Sequence, residues 1–251
     1  MRKFARWALV GTAAMCAMVF APAAASAQPA PENDCARELV LGVDGTLALN
    51  SPFSSAYSIT SRYRDRPGVE VRHIQYPAEI RPIGAHTYDE SKAIGIRELR
   101  RAVDEQTARC PDTVIKVIGF SQGAAIAGDY LAEVGRGEHG SPRIQGLLAA
   151  DPRTPDTGFE VQVHGAIEGL GVTFTGERGG FGDVPVTTIC ANRDGVCDMV
   201  PLDSPPALLA DRFFGYLTKH TGYERITVDG RPFVDVAVDL LDNPTGGVLR
   251  I

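Results

Sequence analysis

Residues 110–134 read CPDTVIKVIGFSQGAAIAGDYLAEV, and this stretch decides the fold. Its first part, residues 113–118, is β-branched and apolar apart from Lys116, which is typical of a buried strand. Gly119-Phe120-Ser121-Gln122-Gly123 follows, and then a run of small residues that is typical of a closely packed helix. A strand, a Gly-x-Ser-x-Gly pentapeptide and a helix, in that order, are the layout of a nucleophile elbow. In an elbow of this kind, a strained turn exposes the Ser121 hydroxyl, and the N-terminus of the next helix points at a developing oxyanion.

The pentapeptide alone is weak evidence for an elbow, because a chain with 27 glycines can contain it by chance. The predicted elements around it decide whether it is an elbow. Strand-like apolar segments alternate with helical segments along the chain. The predicted strands cover residues 38–43, 69–76, 113–118, 144–150 and 184–189. This alternation predicts an α/β fold, a three-layer sandwich around a mostly parallel central sheet, and together with the elbow at Ser121 it indicates the α/β-hydrolase type.

Two helices stand out besides the one after Ser121. Residues 89–106 carry apolar side chains on one face and charges on the other. A second helix is predicted to begin near Pro205. Its predicted buried face consists of Leu208, Leu209, Phe213, Tyr216 and Leu217.

The N-terminal segment has the pattern of a signal peptide. Arg2, Lys3 and Arg6 precede an apolar run too short to span a bilayer, and Ala25-Ser26-Ala27 ends the segment. We expect cleavage after residue 27; a membrane anchor, or a lipid attached to Cys16, is the alternative. Residues 28–34 are predicted to be a flexible leader and residues 35–251 a single domain. The sequence thus predicts a secreted or cell-envelope protein.

The cysteine count agrees with export. Removal of residues 1–27 leaves Cys35, Cys110, Cys190 and Cys197, an even number that predicts two disulfides with three connectivities. Cys190 and Cys197 bracket one short loop, which favours their pairing, and Cys35 and Cys110 each precede a predicted strand. A metal site built from residues 190–220 is the alternative, but its spacing does not fit a zinc knuckle.

The net charge of −6 becomes more negative once the basic leader is removed, which disfavours nucleic acid or an anionic membrane as a partner. A Gly-rich insertion spans residues 153–183. Long irregular insertions in a compact domain tend to be functional or poorly ordered. We consider two interpretations, a flap over an acyl pocket and a plain surface insertion.

A serine nucleophile needs a histidine base and a carboxylate that orients it. In α/β-hydrolase sheets the chain order is serine, acid, histidine. His139, His164 and His220 follow Ser121, whereas His73 and His86 precede it; only His220 follows every predicted strand. His220 is therefore the predicted base.

Asp194 is the predicted acid, because a Cys190–Cys197 disulfide would rigidify its loop at the carboxyl end of a strand. The alternative candidates for the acid are Asp151, Asp198 and Asp203. Of these, Asp151 is expected to stabilise the turn in which it lies.

Taken together, these residues resemble the cutinase superfamily of serine esterases. The motifs that carry the resemblance are Cys35, Gly45-Thr46, Cys110-Pro111-Asp112, the pentapeptide at Ser121, Cys190…Asp194…Cys197 and His220…Tyr223. Further stretches resemble the PE-PPE domain, the actinobacterial branch of that superfamily. These are Tyr76-Pro77-Ala78, the Gly-rich residues 169–176 and residues 194–198.

The resemblance implies a cutinase-like fold with Ser121 as nucleophile, Asp194 as acid, His220 as base and the two disulfides Cys35–Cys110 and Cys190–Cys197. It also implies an oxyanion hole formed by the backbone N–H of Gln122 and by Thr46. The chain departs from cutinases at Asp44, where they usually carry an arginine.

The predicted function is therefore an exported serine esterase that hydrolyses acyl or lipid esters through an acyl-enzyme, with no cofactor and no metal. The predicted partners are a small-molecule or lipid ester and, transiently, a lipid surface, and the predicted state is a monomer. An acyltransferase with the same triad and a catalytically silent cell-envelope binding module are the alternatives.

Overall fold

The computed structural model describes residues 35–52, 54–140 and 142–251. The predicted signal peptide and leader lie outside the described residues. Within the described part of the chain, no helix combines the length and the hydropathy needed to cross a membrane.

A parallel six-stranded sheet forms the centre of the molecule. Its strands are β1 (Glu38–Val43), β2 (Val69–His73), β3 (Val114–Phe120), β4 (Ile144–Ala149), β7 (Val186–Cys190) and β10 (Val248–Arg250). Their order across the sheet is β2-β1-β3-β4-β7-β10, and every neighbouring pair is parallel. From β1 the chain adds β2 on one side, and it then crosses over to add β3 and the later strands on the other side. The position between β1 and β3 is therefore a topological switch point. Open α/β sheets bind ligands at such a point, outside the carboxyl ends of the strands.

Helices cover both faces of the sheet. The helices are α1 (Ser55–Ser61), α2 (Tyr88–Arg109), α3 (Gln122–Gly135), α4 (Phe159–Gln162), α5 (Pro206–Thr218) and α6 (Phe233–Asp242). Alternate residues of β1 and β3 point to opposite faces, as the strand period of two requires. Leu41 and Val117 pack with α2 and α3 on one face, while Val40 and Ile118 pack with α1 and α6 on the other. The structure thus confirms the predicted three-layer α/β sandwich.

Smaller elements complete the chain. Two antiparallel ribbons lie outside the central sheet, one formed by β5 (Gly165–Ile167) with β6 (Val172–Phe174) and one by β8 (Thr227–Val228) with β9 (Arg231–Pro232). Two 3₁₀ helices span Glu168–Leu170 and His220–Arg225.

Strand ends differ slightly from prediction for a physical reason. β2 stops at His73 instead of residue 76, because its partner β1 ends at Val43 and offers no further strand to pair with. β3 continues to Phe120, because β4 extends its pairing there to Ala149. The Thr87 side chain caps α2, which begins one residue before the predicted boundary: its hydroxyl accepts from the Glu90 N–H, and the Glu90 carboxylate accepts from the Thr87 N–H.

The predicted buried face of α5 is wrong. Phe213 is 62% and Leu217 49% exposed, and Leu208 and Tyr216 are exposed as well. Both faces of the sheet are already covered by α1, α2, α3 and α6, so α5 packs mainly on the 3₁₀ helix that follows it. The apolar periodicity of α5 is real, but most of its large apolar side chains stay exposed.

Both predicted disulfides form. Cys35 is joined to Cys110 and Cys190 to Cys197, each with a Cα–Cα distance of 5.8 Å. By the chain-entropy estimate, the longer loop stabilises the fold by about 4–5 kcal/mol and the shorter by about 2–3 kcal/mol. Because Cys190 and Cys197 are joined to each other, they are not thiolates that could ligate a metal.

Candidate active site

Ser121 lies in a strained turn between β3 and α3. Its backbone has φ 56° and ψ −122°, in the left-handed range of φ that a residue with a side chain rarely adopts. A Cβ at Gly119 would meet the Gly123 carbonyl, and a Cβ at Gly123 would meet the backbone of Val43 and Asp44. Both glycines of the pentapeptide are therefore required by close backbone approaches on either side of the serine.

The structure brings the three predicted residues Ser121, His220 and Asp194 together. His220 Nε2 lies 2.9 Å from Ser121 Oγ, and its Nδ1 lies 3.0 and 3.1 Å from the two carboxylate oxygens of Asp194. An ionised carboxylate only accepts hydrogen bonds, so the ring proton belongs on Nδ1. Nε2 is then the acceptor for the Ser121 hydroxyl, which is the arrangement that a general base requires.

Asp194 is fully buried in the loop that follows the carboxyl end of β7. The Val196 N–H donates to its Oδ1 at 2.9 Å, and the Tyr223 hydroxyl donates to its Oδ2 at 2.9 Å. The Tyr223 oxygen in turn accepts from the Ala191 N–H at 2.9 Å. Burial, together with the charge of Asp194, raises the pKa of Tyr223 well above its ordinary value, so this hydroxyl stays protonated and donates.

Sequence reasoning did not assign a role to Tyr223. A signal was available, since Tyr223 follows His220 by three residues. The two residues lie on either side of a kink at Gly222, and their rings meet edge to face with centroids 6.5 Å apart.

The His220 ring lies between two aromatic side chains. The Phe120 ring stacks on it with centroids 5.0 Å apart, and the Tyr216 ring does so at 5.2 Å. Neither residue was predicted to contribute to the site. Phe120 comes from the elbow and Tyr216 from α5, so the imidazole is oriented by both neighbours as well as by Asp194.

The rival acids have other partners. Both oxygens of Asp151 accept hydrogen bonds from Arg178, one of them at 2.8 Å. Asp198 accepts from Arg250 at 2.9 Å and from the Arg193 N–H at 2.7 Å, and Asp203 is exposed. Among the other histidines after Ser121, His139 contacts Glu133 and His164 is exposed.

The predicted oxyanion donors Gln122 and Thr46 line the same cavity as Ser121. Gln122 begins α3, so its N–H is among those that have no partner within the helix. The Gln122 side chain is fixed by donating to the Glu79 carbonyl at 3.1 Å.

Asp44, the residue that departs from the cutinase pattern, turns towards β2. One of its carboxylate oxygens lies 2.9 Å from His73 Nδ1 and accepts from the Asn50 N–H at 2.9 Å. The other His73 nitrogen, Nε2, lies 2.9 Å from the Thr60 hydroxyl, whose own proton goes to the Tyr57 carbonyl. His73 therefore bridges the buried Asp44 carboxylate and the Thr60 hydroxyl.

The cavity beside Ser121 has a volume of about 300 Å³. Its lining is mostly apolar and includes Ile167, Val172 and Phe174 from the Gly-rich insertion. The insertion is fastened to α2, because the Thr173 N–H and hydroxyl donate to Asp89 at 2.9 and 2.7 Å. Residues 153–183 thus contribute part of the cavity wall.

A buried charge cluster fastens the other end of the insertion to α3. Asp129 of α3 contacts Arg178 at 2.7 Å, Arg153 at 2.5 Å and Lys92 at 3.2 Å. Burial alone would raise the pKa of Asp129, but the charges of Arg178, Lys92 and Arg153 outweigh it and lower the pKa. Asp129 is therefore ionised and links α2, α3 and the insertion.

The fold and the site define the class of protein, an α/β-hydrolase. The PE-PPE domain profile matches residues 67–243, and the chain belongs to the PE-PPE domain family. This confirms the resemblance to that family, while the roles of the site residues stay predictions.

Two curated relatives are similar to this chain. It is 32% identical over 181 residues to a carboxylesterase Culp6 homolog of Corynebacterium glutamicum, covering 59% of this chain and 57% of the relative. It is 31% identical over 201 residues to esterase PE16 of Mycobacterium tuberculosis, covering 75% of this chain and 37% of the relative. The chain thus spans well under two thirds of the length of either relative.

Solved structures agree on the fold. An acetylxylan esterase structure at 0.90 Å aligns with a TM-score of 0.52 at 21% identity, covering 84% of this chain and all of that one. The catalytic core of acetyl xylan esterase from Trichoderma reesei aligns with a TM-score of 0.50 at 20% identity, covering 81% of this chain and 100% of that one.

Proposed function

We propose that this protein is an exported serine esterase that hydrolyses acyl esters with Ser121, His220 and Asp194 as its triad. The observation that carries the proposal is the continuous hydrogen-bonded line from Ser121 Oγ through both nitrogens of His220 to the buried Asp194. The serine end of that line opens on an apolar cavity, and the acid end is buried.

In the first half of the reaction, Ser121 Oγ attacks the ester carbonyl and its proton passes to His220 Nε2. The Asp194 carboxylate stabilises the imidazolium that forms. The carbonyl oxygen becomes an oxyanion that the Gln122 N–H and Thr46 bind; one such donor is worth about 2.7–4 kcal/mol in the transition state. The intermediate then expels the alcohol, whose oxygen takes the proton from His220, and an acyl-enzyme remains.

In the second half, water attacks the acyl-enzyme and gives a proton to His220 Nε2. The second oxyanion occupies the same donors. Its collapse breaks the bond to Ser121 Oγ, which recovers the proton from His220, and a carboxylic acid leaves. Every proton moves between Ser121, His220, substrate and water, so the cycle is balanced without a cofactor.

Two further observations support an exported ester hydrolase. Both curated relatives carry esterase names, which favours small-molecule ester substrates here. The disulfides Cys35–Cys110 and Cys190–Cys197 favour an oxidising compartment, outside the cell or in its envelope.

The exposed apolar side chains of α5 favour transient contact with a lipid surface. Leu208, Phe213, Phe214, Tyr216 and Leu217 are all exposed on this helix, which leads directly to His220. Clustered exposed apolar side chains mark interaction sites. Replacing Phe213 and Phe214 with serine should reduce co-sedimentation with phosphatidylcholine vesicles, whereas the exposed Ile83→Ser should not. Equal sedimentation of all three proteins would exclude this contact.

The direct test is Ser121→Ala on short p-nitrophenyl esters. We expect kcat to fall by about 10⁶-fold, because the nucleophile is lost. The exposed Ser61→Ala is the matched control and should keep wild-type turnover. Unchanged turnover by Ser121→Ala would refute the proposal.

The two alternative functions are separated by product analysis. An acyltransferase would pass most of the acyl group to an added alcohol instead of water. A catalytically silent binding module would release neither the free acid nor the new ester. That result would mean that the triad has only a structural role.

A further inference from the structure

A second apolar cavity lies beside the first, between the acid loop and α5. Its volume is about 270 Å³. The residues that line it are Phe159, Gly195, Val196, Met199, Leu209, Arg212, Phe213 and Tyr216. We call this cavity the α5 groove.

The α5 groove lies on the histidine side of the site. Tyr216 lines the groove and stacks on the His220 ring at 5.2 Å. Phe159 and Val196 line both cavities, so the two are neighbours. Thr46 and Gln122, in contrast, line the first cavity. The oxyanion donors therefore do not line the α5 groove, whose contact with the triad is made by Tyr216 against His220.

The charge at the edge of the groove is already neutralised. The Arg212 guanidinium contacts Asp211 at 2.6 Å and Asp198 at 3.7 Å. The Arg212 side chain lines the groove beside Leu209 and Met199. An anionic ligand would have to displace these carboxylates, whereas an alkyl or ring ligand would not.

We infer that the α5 groove binds the alcohol part of the ester, so that the substrates are esters of an apolar alcohol. The inference rests on the proposed function. The leaving oxygen must take its proton from His220 Nε2, so the alcohol departs on the histidine side while the carbonyl oxygen faces the oxyanion donors. A cavity of this volume is at the small end of ligand pockets, which suits a medium alkyl chain or a ring.

The test compares two ester series on the full-length protein. In the first series the acyl group is butyryl throughout and the alcohol lengthens from methyl to octyl, with butyrate release followed in a pH-stat. All of these esters form the same acyl-enzyme, so differences in kcat/KM report acylation with the alcohol bound. We expect kcat/KM to rise by up to about 4-fold per buried methylene until the groove is full, the equivalent of about 0.8 kcal/mol each. The second series varies the acyl chain of p-nitrophenyl esters.

Two variants change the groove in opposite ways. Leu209→Asn makes it polar and Leu209→Trp fills it, and both should flatten the dependence on alcohol length while keeping the dependence on acyl length. Their turnover of methyl butyrate reports that they are folded. Leu202→Asn, an exposed leucine that lines neither cavity, is the matched control and should behave as wild type.

A flat alcohol series on an enzyme that hydrolyses methyl butyrate would overturn this inference and leave the proposed function standing. A change in acyl-length preference caused by either Leu209 variant would also overturn it, by assigning the groove to the acyl chain. No hydrolysis of any ester would overturn the proposed function itself, and the inference with it.

Discussion

The two sides of the active site are built in different ways. Ser121 is positioned by the sheet core, since β3, α3 and the backbone of Val43 enclose its turn and leave no room for a Cβ at Gly119 or Gly123. His220 follows α5, a helix in which Gly215 alone is buried. Its position depends on hydrogen bonds in the line from Tyr223 through Asp194 and on two stacked rings, Phe120 from the core and Tyr216 from α5. Precision thus comes from packing at the serine and from polar and aromatic contacts at the histidine.

On the histidine side, the largest expected effect comes from replacing the acid. Asp194→Asn should lower kcat by about 10⁴-fold, because an amide no longer enforces the proton on His220 Nδ1. Asp198→Asn makes the same chemical change beside the disulfide and should leave kcat close to wild type. The assignment of the acid is wrong if Asp194→Asn keeps full activity in steady-state assays.

A second large effect is expected in stability rather than chemistry, at the charge cluster on α3. Asp129→Asn leaves Arg178, Arg153 and Lys92 without their shared partner and should lower the free energy of unfolding by about 3–5 kcal/mol. Asp239→Asn, which breaks an exposed pair with Arg231, should have little effect. Urea denaturation of both variants measures the difference.

The pH dependence has a definite sign. The folded pKa of Asp129 lies below the ordinary value of 3.8, so its contribution to stability is complete above that pH and is lost as the pH falls through the lowered folded pKa. The stability lost by the wild type on acidification should therefore exceed the stability lost by Asp129→Asn. Parallel acid profiles would show that Asp129 does not carry this dependence.

On the serine side, adding a single methyl group to the turn should destabilise the fold. Gly123→Ala places a Cβ against the Val43 carbonyl and should cost about 3 kcal/mol or more of stability. Gly169→Ala has open space around its Cβ and serves as the control, with an unchanged melting temperature expected. If both variants melt like wild type, packing does not set the position of Ser121.

The smallest expected effect is on kcat and tests how the acid on the histidine side is oriented. Tyr223→Phe removes one hydrogen bond to Asp194 and should lower kcat by about 10-fold, or about 1.4 kcal/mol, with little change in KM. Tyr57→Phe is the matched hydroxyl deletion away from the site. A rise in KM at unchanged kcat would mean that Tyr223 shapes the substrate pocket instead of orienting the acid.

Local sequence patterns predicted the serine side well, for a physical reason. Strand periodicity and the spacing of Gly119 and Gly123 are both properties of neighbouring residues, so residues 110–134 predict the elbow, and the alternation of strands and helices along the rest of the chain supports it. Predicting the partners of Ser121 required one more rule, the order of serine, acid and histidine along the chain. The short Cys190–Cys197 loop then favoured Asp194 over Asp151 and Asp198 as the acid.

Long-range packing explains what the sequence did not reveal. The apolar period of α5 predicted burial, but periodicity cannot tell that α1, α2, α3 and α6 already cover the sheet. The stacking of Phe120 on His220 joins residues 100 positions apart in the chain. The pairing of Asp44 with His73 likewise depends on the register of β1 with β2.

The most direct test of the central claim is to label the protein with a fluorophosphonate and locate the adduct by peptide mass spectrometry. We predict one adduct per chain, on Ser121, with labelling greatly slowed in His220→Ala and absent in Ser121→Ala. An adduct on another residue, or a folded wild-type protein that takes up no label, would contradict the assignment of Ser121 as the nucleophile.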